Sequence, residues 1–169
     1  MCCVRILWAP WRMSYIRKAS EVAECIFCKA SSSVNDEENL VVFRTKHSVV
    51  MLNAYPYNTG HVMVAPRRHV PRVEMLYDYE ALDLFNSLKT IIECLNEEYR
   101  PDGYNIGINI GKVAGAGVEA HLHIHVVPRW LGDTNYMPII ADTKVMPEDL
   151  KTTLTRLKSR LAGKPGSSP

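Results

Sequence analysis

The 169-residue chain has no apolar run approaching the roughly 20 residues that cross a bilayer as a helix, and Met1 to Trp8 lacks the apolar core and cleavage site of a secretory leader. A soluble, cytoplasmic protein is therefore expected. Charge of one sign is equally scarce: 20 Lys and Arg stand against 18 Asp and Glu, a formal net charge of +2. Apart from Arg67, Arg68 and Arg72, the basic residues are spread thinly, whereas a nucleic-acid footprint needs a concentrated basic face. Neither nucleic acid nor membrane is expected as a partner, and the arginine cluster reads as a solvated turn or a place where one small anion is drawn in. The five cysteines, Cys2, Cys3, Cys25, Cys28 and Cys94, are too few and of the wrong parity for a disulfide framework. No internal repeat is visible, so a repeat array is excluded.

What is present suits one domain over residues 1–162, with a disordered tail at 163–169, because 47% apolar residues can build one substantial core at this length. The aromatic opening Trp8-Ala9-Pro10-Trp11-Arg12 is expected to enter a short helix after Pro10. Leu40–Phe43 and Ser48–Leu52 read as a hairpin turning near Thr45 to His47, and His61–Ala65 as a strand ended by Pro66. From Asp78 to Tyr99, apolar residues at Leu82, Phe85, Leu88, Ile92, Leu95 and Tyr99 recur at three and four, the spacing of an amphipathic helix covering a sheet. Tyr104–Ile110 reads as a further strand, and Gly111–Gly117 as a glycine-rich loop. Near the end, Pro147 suits a first helical turn, Glu148 and Asp149 its positive end, and Leu150, Leu154, Leu157 and Leu161 form a stripe. The expected fold is α+β: an antiparallel sheet of about five strands, one long helix packed on it, and a C-terminal helix.

The chemistry-bearing feature is the run His121-Leu122-His123-Ile124-His125-Val126-Val127, which holds half of the six histidines. Its β-branched and apolar spacers favour a strand that Pro128 stops. Alternation then puts Leu122, Ile124 and Val126 in the core and the three imidazoles on the other face, about 6.7 Å apart at Cα. Such a row offers a nucleophile, an acid and charge stabilisers to one bound group. A mononuclear metal site using His121, His123 and another ligand is the rival reading.

This run matches the motif of the histidine triad family: His, apolar, His, apolar, His, two apolars. The resemblance extends over about residues 8–150. Asn53 stands eight residues before His61, Gly60-His61-Val62-Met63-Val64 resembles the family's second motif strand, and Trp8–Arg12 with Pro128-Arg129-Trp130 are similar to a branch of diadenosine tetraphosphate phosphorylases and hydrolases. The resemblance implies cleavage at an α-phosphate through a nucleotidyl-histidine, followed by transfer to water or phosphate. His123 is the nucleophile on this reading, since a neutral imidazole meets that need at working pH. A carbonyl near His121 would bond one of its ring nitrogens, and His125 and His61 would stabilise charge or protonate what leaves. Asn53 matches the ribose-binding position, Asn109 and Gly117 are candidates for phosphate contact, and Trp130 for stacking on a base. Many members carry Gln or Ser shortly before the triad where this chain has Gly117 and Val118, so a side-chain donor to the leaving phosphate is missing from the loop. His125 in the last triad position resembles hydrolytic members, whereas the tryptophan-rich flanks resemble phosphorolytic ones. A zinc-stabilised nucleotide sensor with little turnover and a metal-dependent hydrolase are the competing classes. The resemblance also implies an adenine nucleotide or dinucleoside polyphosphate as ligand and a homodimer, with the long helix or an edge strand as contact.

Cys25-Ile26-Phe27-Cys28 has the spacing of half a zinc site. By the same resemblance the full structural zinc site maps to Cys25, Cys28, His69 and His121, with His47 in reserve. That mapping conflicts with simple alternation, which turns His121 toward the substrate beside His123. Its place at the strand's entry leaves room for it to rotate away.

Overall fold

The computed structural model describes residues 24–134 and 145–162; the helix expected after Pro10 and the tail at 163–169 lie outside them. Five antiparallel strands, β1 (Val41–Arg44), β2 (Ser48–Leu52), β3 (Val62–Pro66), β4 (Gly103–Ile108) and β5 (Ile124–Arg129), form one sheet in the order β1-β2-β3-β5-β4. Among the described residues three α-helices flank it: α1 (Ile26–Ser32), α2 (Asp78–Tyr99) and α3 (Leu150–Ala162).

Every residue of β2 and β3 is buried. Such strands need apolar side chains on both pleat faces, which explains why their sequences do not alternate. One face presents Val50, Leu52, Val62, Val64, Ile124 and Val126 to Leu84, Leu88, Ile91 and Leu95 of α2 and to Leu154, Leu157 and Leu161 of α3. The other face presents Val49, Met51, Met63 and Ala65 to Phe27 and Ala30 of α1. Each fully buried leucine-sized side chain contributes about 1.5–3 kcal/mol, so the larger layer supplies most of the stability and the smaller one carries the site.

The long helix has the expected ends. Tyr77 N–H donates to Glu80 Oε2 at 3.0 Å, closing the first turn, and Arg100 in the left-handed region (φ 45°) followed by Pro101 stops the last. Its buried stripe differs from the expected one. Leu84, Leu88, Ile91, Cys94 and Leu95 face the sheet, whereas Leu82 and Phe85 are 65% and 59% exposed. Two apolar stripes overlap on this helix, and periodicity alone does not say which one meets the sheet.

Three further boundaries move. The helix expected from Pro147 starts at Leu150, where Asp149 Oδ1 accepts from Thr152 N–H at 2.9 Å, leaving Pro147 outside it. Pro128 lies within β5 rather than ending it. Its carbonyl turns away from β4 to accept from Asn58 Nδ2 at 3.0 Å, and its nitrogen faces the same side, where β3 stops pairing at Val126. No ladder bond is lost there. Finally, β5 begins at Ile124, so His121 and His123 precede the strand, with Leu122 N–H held by Val70 O at 2.7 Å.

Candidate active site

The register Met63↔His125 carries His125 onto the α1 side of the sheet, and His61 enters from the residue before β3. A cleft on that side is lined by Ile26, Phe27, Asn53, Tyr57, Val118, His123 and His125, among others. Gly115 and Gly117 from the loop close its rim.

His123 is 3% exposed and its Nδ1–H donates to the His121 carbonyl at 2.8 Å. With that nitrogen protonated, Nε2 is the atom left with a lone pair. Burial holds the ring below the ordinary imidazole pKa, so the lone pair persists at neutral pH and below. The Phe27 ring stacks on it, centroids 4.8 Å apart at 29°. The His121 main chain thus sets the tautomer of the nucleophile candidate, the carbonyl contact that the resemblance implies, while the His121 ring is not among the residues that line the cleft.

A second pair sits alongside. Tyr57 N–H donates to His61 Nδ1 at 3.0 Å, so neutral His61 carries its proton on Nε2, which faces His125 Nδ1 at 3.0 Å. His125 then carries its own proton on Nε2 and is a donor at the cleft, its ring edge-on to His123 at 4.9 Å. One ring thus offers a lone pair and its neighbour an N–H.

A profile of the HIT domain matches residues 34–130. The chain belongs to the HIT-domain family. An AP-4-A phosphorylase from Mycobacterium tuberculosis is 40% identical over 166 residues, covering 94% of this chain and 85% of that protein. A bis(5'-nucleosyl)-tetraphosphatase from Schizosaccharomyces pombe is 39% identical over 93 residues, 55% of this chain and 50% of the relative. The fold also matches a Zn-bound histidine triad protein from Mycobacterium smegmatis, with a TM-score of 0.64, 24% identity, and coverage of 82% and 94% of the two chains.

The remaining candidate residues of this HIT chain divide. Asn53 lines the cleft, and its Oδ1 also accepts from Tyr55 N–H at 2.9 Å, so it builds the turn and faces the cleft at once. Gly117 lines the rim, whereas Asn109 reaches across the loop to Gly115 O at 3.4 Å. Trp130 stands apart, its indole N–H donating to Tyr99 O at 3.2 Å. Arg68 is spent on Glu80, through bonds of 2.8 and 2.6 Å, and Arg67 on the carbonyls of Ser31 and Thr45. These contacts tie Arg67 and Arg68 to the fold, while Arg67 and Arg72 are exposed in bends, in line with the solvated-turn reading, and Arg72 pairs with exposed Glu74 at 3.4 Å. Phe27 is the residue that sequence reasoning missed: between two cysteines it reads as a spacer.

Cys25, Cys28, His69 and His121 bring two sulfurs and two ring nitrogens within 4.8 Å of one another, a group that could hold a metal. His121 Nε2–H donates to Pro66 O at 2.8 Å, which leaves Nδ1 as the ligand atom. Sulfur-to-Nδ1 distances are 3.3 Å (Cys25–His121), 3.2 Å (Cys28–His69) and 3.6 Å (Cys28–His121). A tetrahedral ion with S and N bonds of about 2.3 and 2.0 Å separates such atoms by about 3.5 Å, so the edges fit. Burial and the neighbouring Cys25 push the Cys28 thiol up to about 11, so a cation is needed for Cys28 to be a thiolate at neutral pH. Burial lowers His121 to about 4, keeping it a neutral donor. The His121 ring stands with Cys25, Cys28 and His69 and is not among the residues that line the cleft. His47 lies against Tyr79, centroids 4.7 Å apart, outside that group.

Proposed function

We propose that this HIT protein is an enzyme that transfers an adenylyl group from an adenine dinucleoside polyphosphate to phosphate or water. The observation that carries the reading is the His121 carbonyl bonded to His123 Nδ1–H, which leaves Nε2 as the attacking atom. In the first step Nε2 bonds to the α-phosphorus and the bond to the bridging oxygen breaks. The polyphosphate departs as an anion, so a hydrogen bond from His125 Nε2–H supports it without complete proton transfer. In the second step the acceptor oxygen attacks phosphorus and the P–N bond breaks. A phosphate anion needs no proton removed; a water proton goes to the released imidazole and then to solvent. The loop amides near Gly115 and Gly117 approach the phosphates, Asn53 takes the ribose hydroxyls, and Ile26 and Phe27 form an apolar wall for the base.

Phosphate is favoured as acceptor by the 40% identity to a protein named a phosphorylase. Incubation with diadenosine tetraphosphate tests both levels: ADP plus ATP with phosphate means phosphorolysis, AMP plus ATP at saturating phosphate means hydrolysis. Product accumulation with no adenylylated His123, or unreduced turnover by His123→Asn, would remove the mechanism.

The ion at Cys25, Cys28, His69 and His121 is read as zinc, because a set of two thiolates and two imidazoles suits it. The chain is read as cytoplasmic, where reduced thiols of this kind persist; no helix among the described residues is long and apolar enough to cross a membrane. It is read as a homodimer through the outer edge of β4, where Ile106 and Ile108 are 46% and 38% exposed and Ile110, just beyond the strand, is 37% exposed.

A further inference from the structure

The metal group and the nucleophile candidate share a residue and an element. His121 offers Nδ1 to Cys25 and Cys28, at 3.3 and 3.6 Å, and gives its main-chain oxygen to His123 at 2.8 Å. On α1, Phe27 lies between the two cysteines, is wholly buried, and stacks on the His123 ring. From this double link we infer that the metal positions the nucleophile in addition to bracing the fold, with His121 as the positioning residue; the claim rests on His123 being the nucleophile.

The physical argument has two parts. Pro66 O holds the His121 ring at Nε2, and only a bound ion would fix it at Nδ1 as well. Its side-chain torsions and the position of its carbonyl are then over-determined. Without the ion, Nδ1 keeps only weak thiol contacts, and the ring can turn and carry the carbonyl with it. The second part concerns α1, which has seven residues and no side-chain hydrogen bond capping its start at Cys25. A helix that short does not hold itself in water. Cys25 and Cys28 sit at its first turn, so the ion fixes the end that places Ile26 and Phe27 against the cleft. Losing it loosens the acceptor that sets the tautomer and the ring that holds the imidazole in plane.

His69→Ala tests this with the smallest insult, because His69 is the exposed ligand. The variant is compared with wild-type protein, zinc content being measured alongside kcat and KM for diadenosine tetraphosphate. The expected result is loss of bound zinc with kcat down about 10²-fold, the scale of a misplaced reacting group, a smaller rise in KM, and partial recovery with excess zinc. Nitrogen-15 NMR of His123 is expected to change from one Nδ1–H tautomer in zinc-loaded protein to a mixture without zinc, a signature that bracing alone would not produce. Should the variant fail to fold, stepwise chelation of wild type replaces it, with kcat per folded molecule taken from circular dichroism. Folded, zinc-free protein that keeps wild-type kcat and a single His123 tautomer overturns the inference. If zinc-loaded wild type neither turns over nor becomes adenylylated, the nucleophile assignment fails instead, and the tautomer spectrum still decides the positioning claim.

Discussion

His61→Leu separates the ring that touches the reaction from the ring that orients it. His61 is 1% exposed, accepts from Tyr57 N–H and donates to His125 Nδ1, both at 3.0 Å. Leucine of similar bulk fills the space but makes neither bond. If His61 acts only through His125, the loss in turnover is that of one hydrogen bond, about 0.5–1.5 kcal/mol, or a 2- to 13-fold fall in kcat. His125→Asn removes the donor to the leaving oxygen itself and is expected to cost about 10²–10⁴-fold. The double variant should lose no more than His125→Asn alone, because the His61 contribution passes through the missing ring. The assay is kcat at saturating diadenosine tetraphosphate with excess phosphate, on protein whose fold is verified by urea denaturation; stability falls by about 1 kcal/mol, because Tyr57 is partly exposed and water can reach its N–H. A loss on His61→Leu as large as that on His125→Asn would refute the relay, placing His61 on the substrate. No loss at all would refute it from the other side.

Glu80 is held below the ordinary carboxylate range first by its bond to Arg68, with burial opposing. A depressed carboxyl stabilises the fold above its unfolded pKa near 4.5 and loses that contribution as pH falls through the folded value. Urea midpoints of wild type should therefore drop below about pH 4.5, and Glu80→Gln should be less stable at pH 7 by about 1–2 kcal/mol, the half-exposed Arg68 being partly solvated, with a flatter acid limb. Gly60 has φ +73°, and a Cβ there would stand 3.1 Å from Leu95 Cδ2 and 3.3 Å from Pro128 Cγ. Gly60→Ala should cost about 1–2 kcal/mol for the backbone alone, with crowding added, and an unchanged urea midpoint would contradict the geometry. Ile106→Lys at the β4 edge should convert a dimer to a monomer by light scattering with its fold intact; a dimer that persists places the contact elsewhere.

The extent of α2 was readable because apolar residues recur at three and four over the 22 residues from Asp78 to Tyr99. The β1–β2 hairpin was readable because turn residues near Thr45 to His47 separate two apolar runs. The buried stripe of α2 was not, because Leu82 and Phe85 carry the same apolar signal as Leu84 and Ile91 and only the sheet chooses between them. Pro128 misled because a proline ends a strand only where its nitrogen faces a partner, and strand ends are set by a neighbour far away in sequence.

The histidine run shows how far local pattern reaches into a site. Alternation places Ile124, His125 and Val126 correctly, since these lie inside β5. It fails at His121, which comes before pairing begins, and so both the tautomer of His123 and the metal group depend on a residue outside the regular strand. The decisive contact there is between a carbonyl and a ring two residues later, and it needs no particular side chain at 121. On the proposed reading the imidazole at 121 joins the ligand set, and one position would serve two sites through two different parts of the same residue. Changing the ligand while keeping the main chain, as in His121→Cys, separates them: if the carbonyl is placed by the ion, zinc retained on the new thiolate should keep His123 in one tautomer, whereas an imidazole needed for its own sake would leave kcat low with zinc still bound.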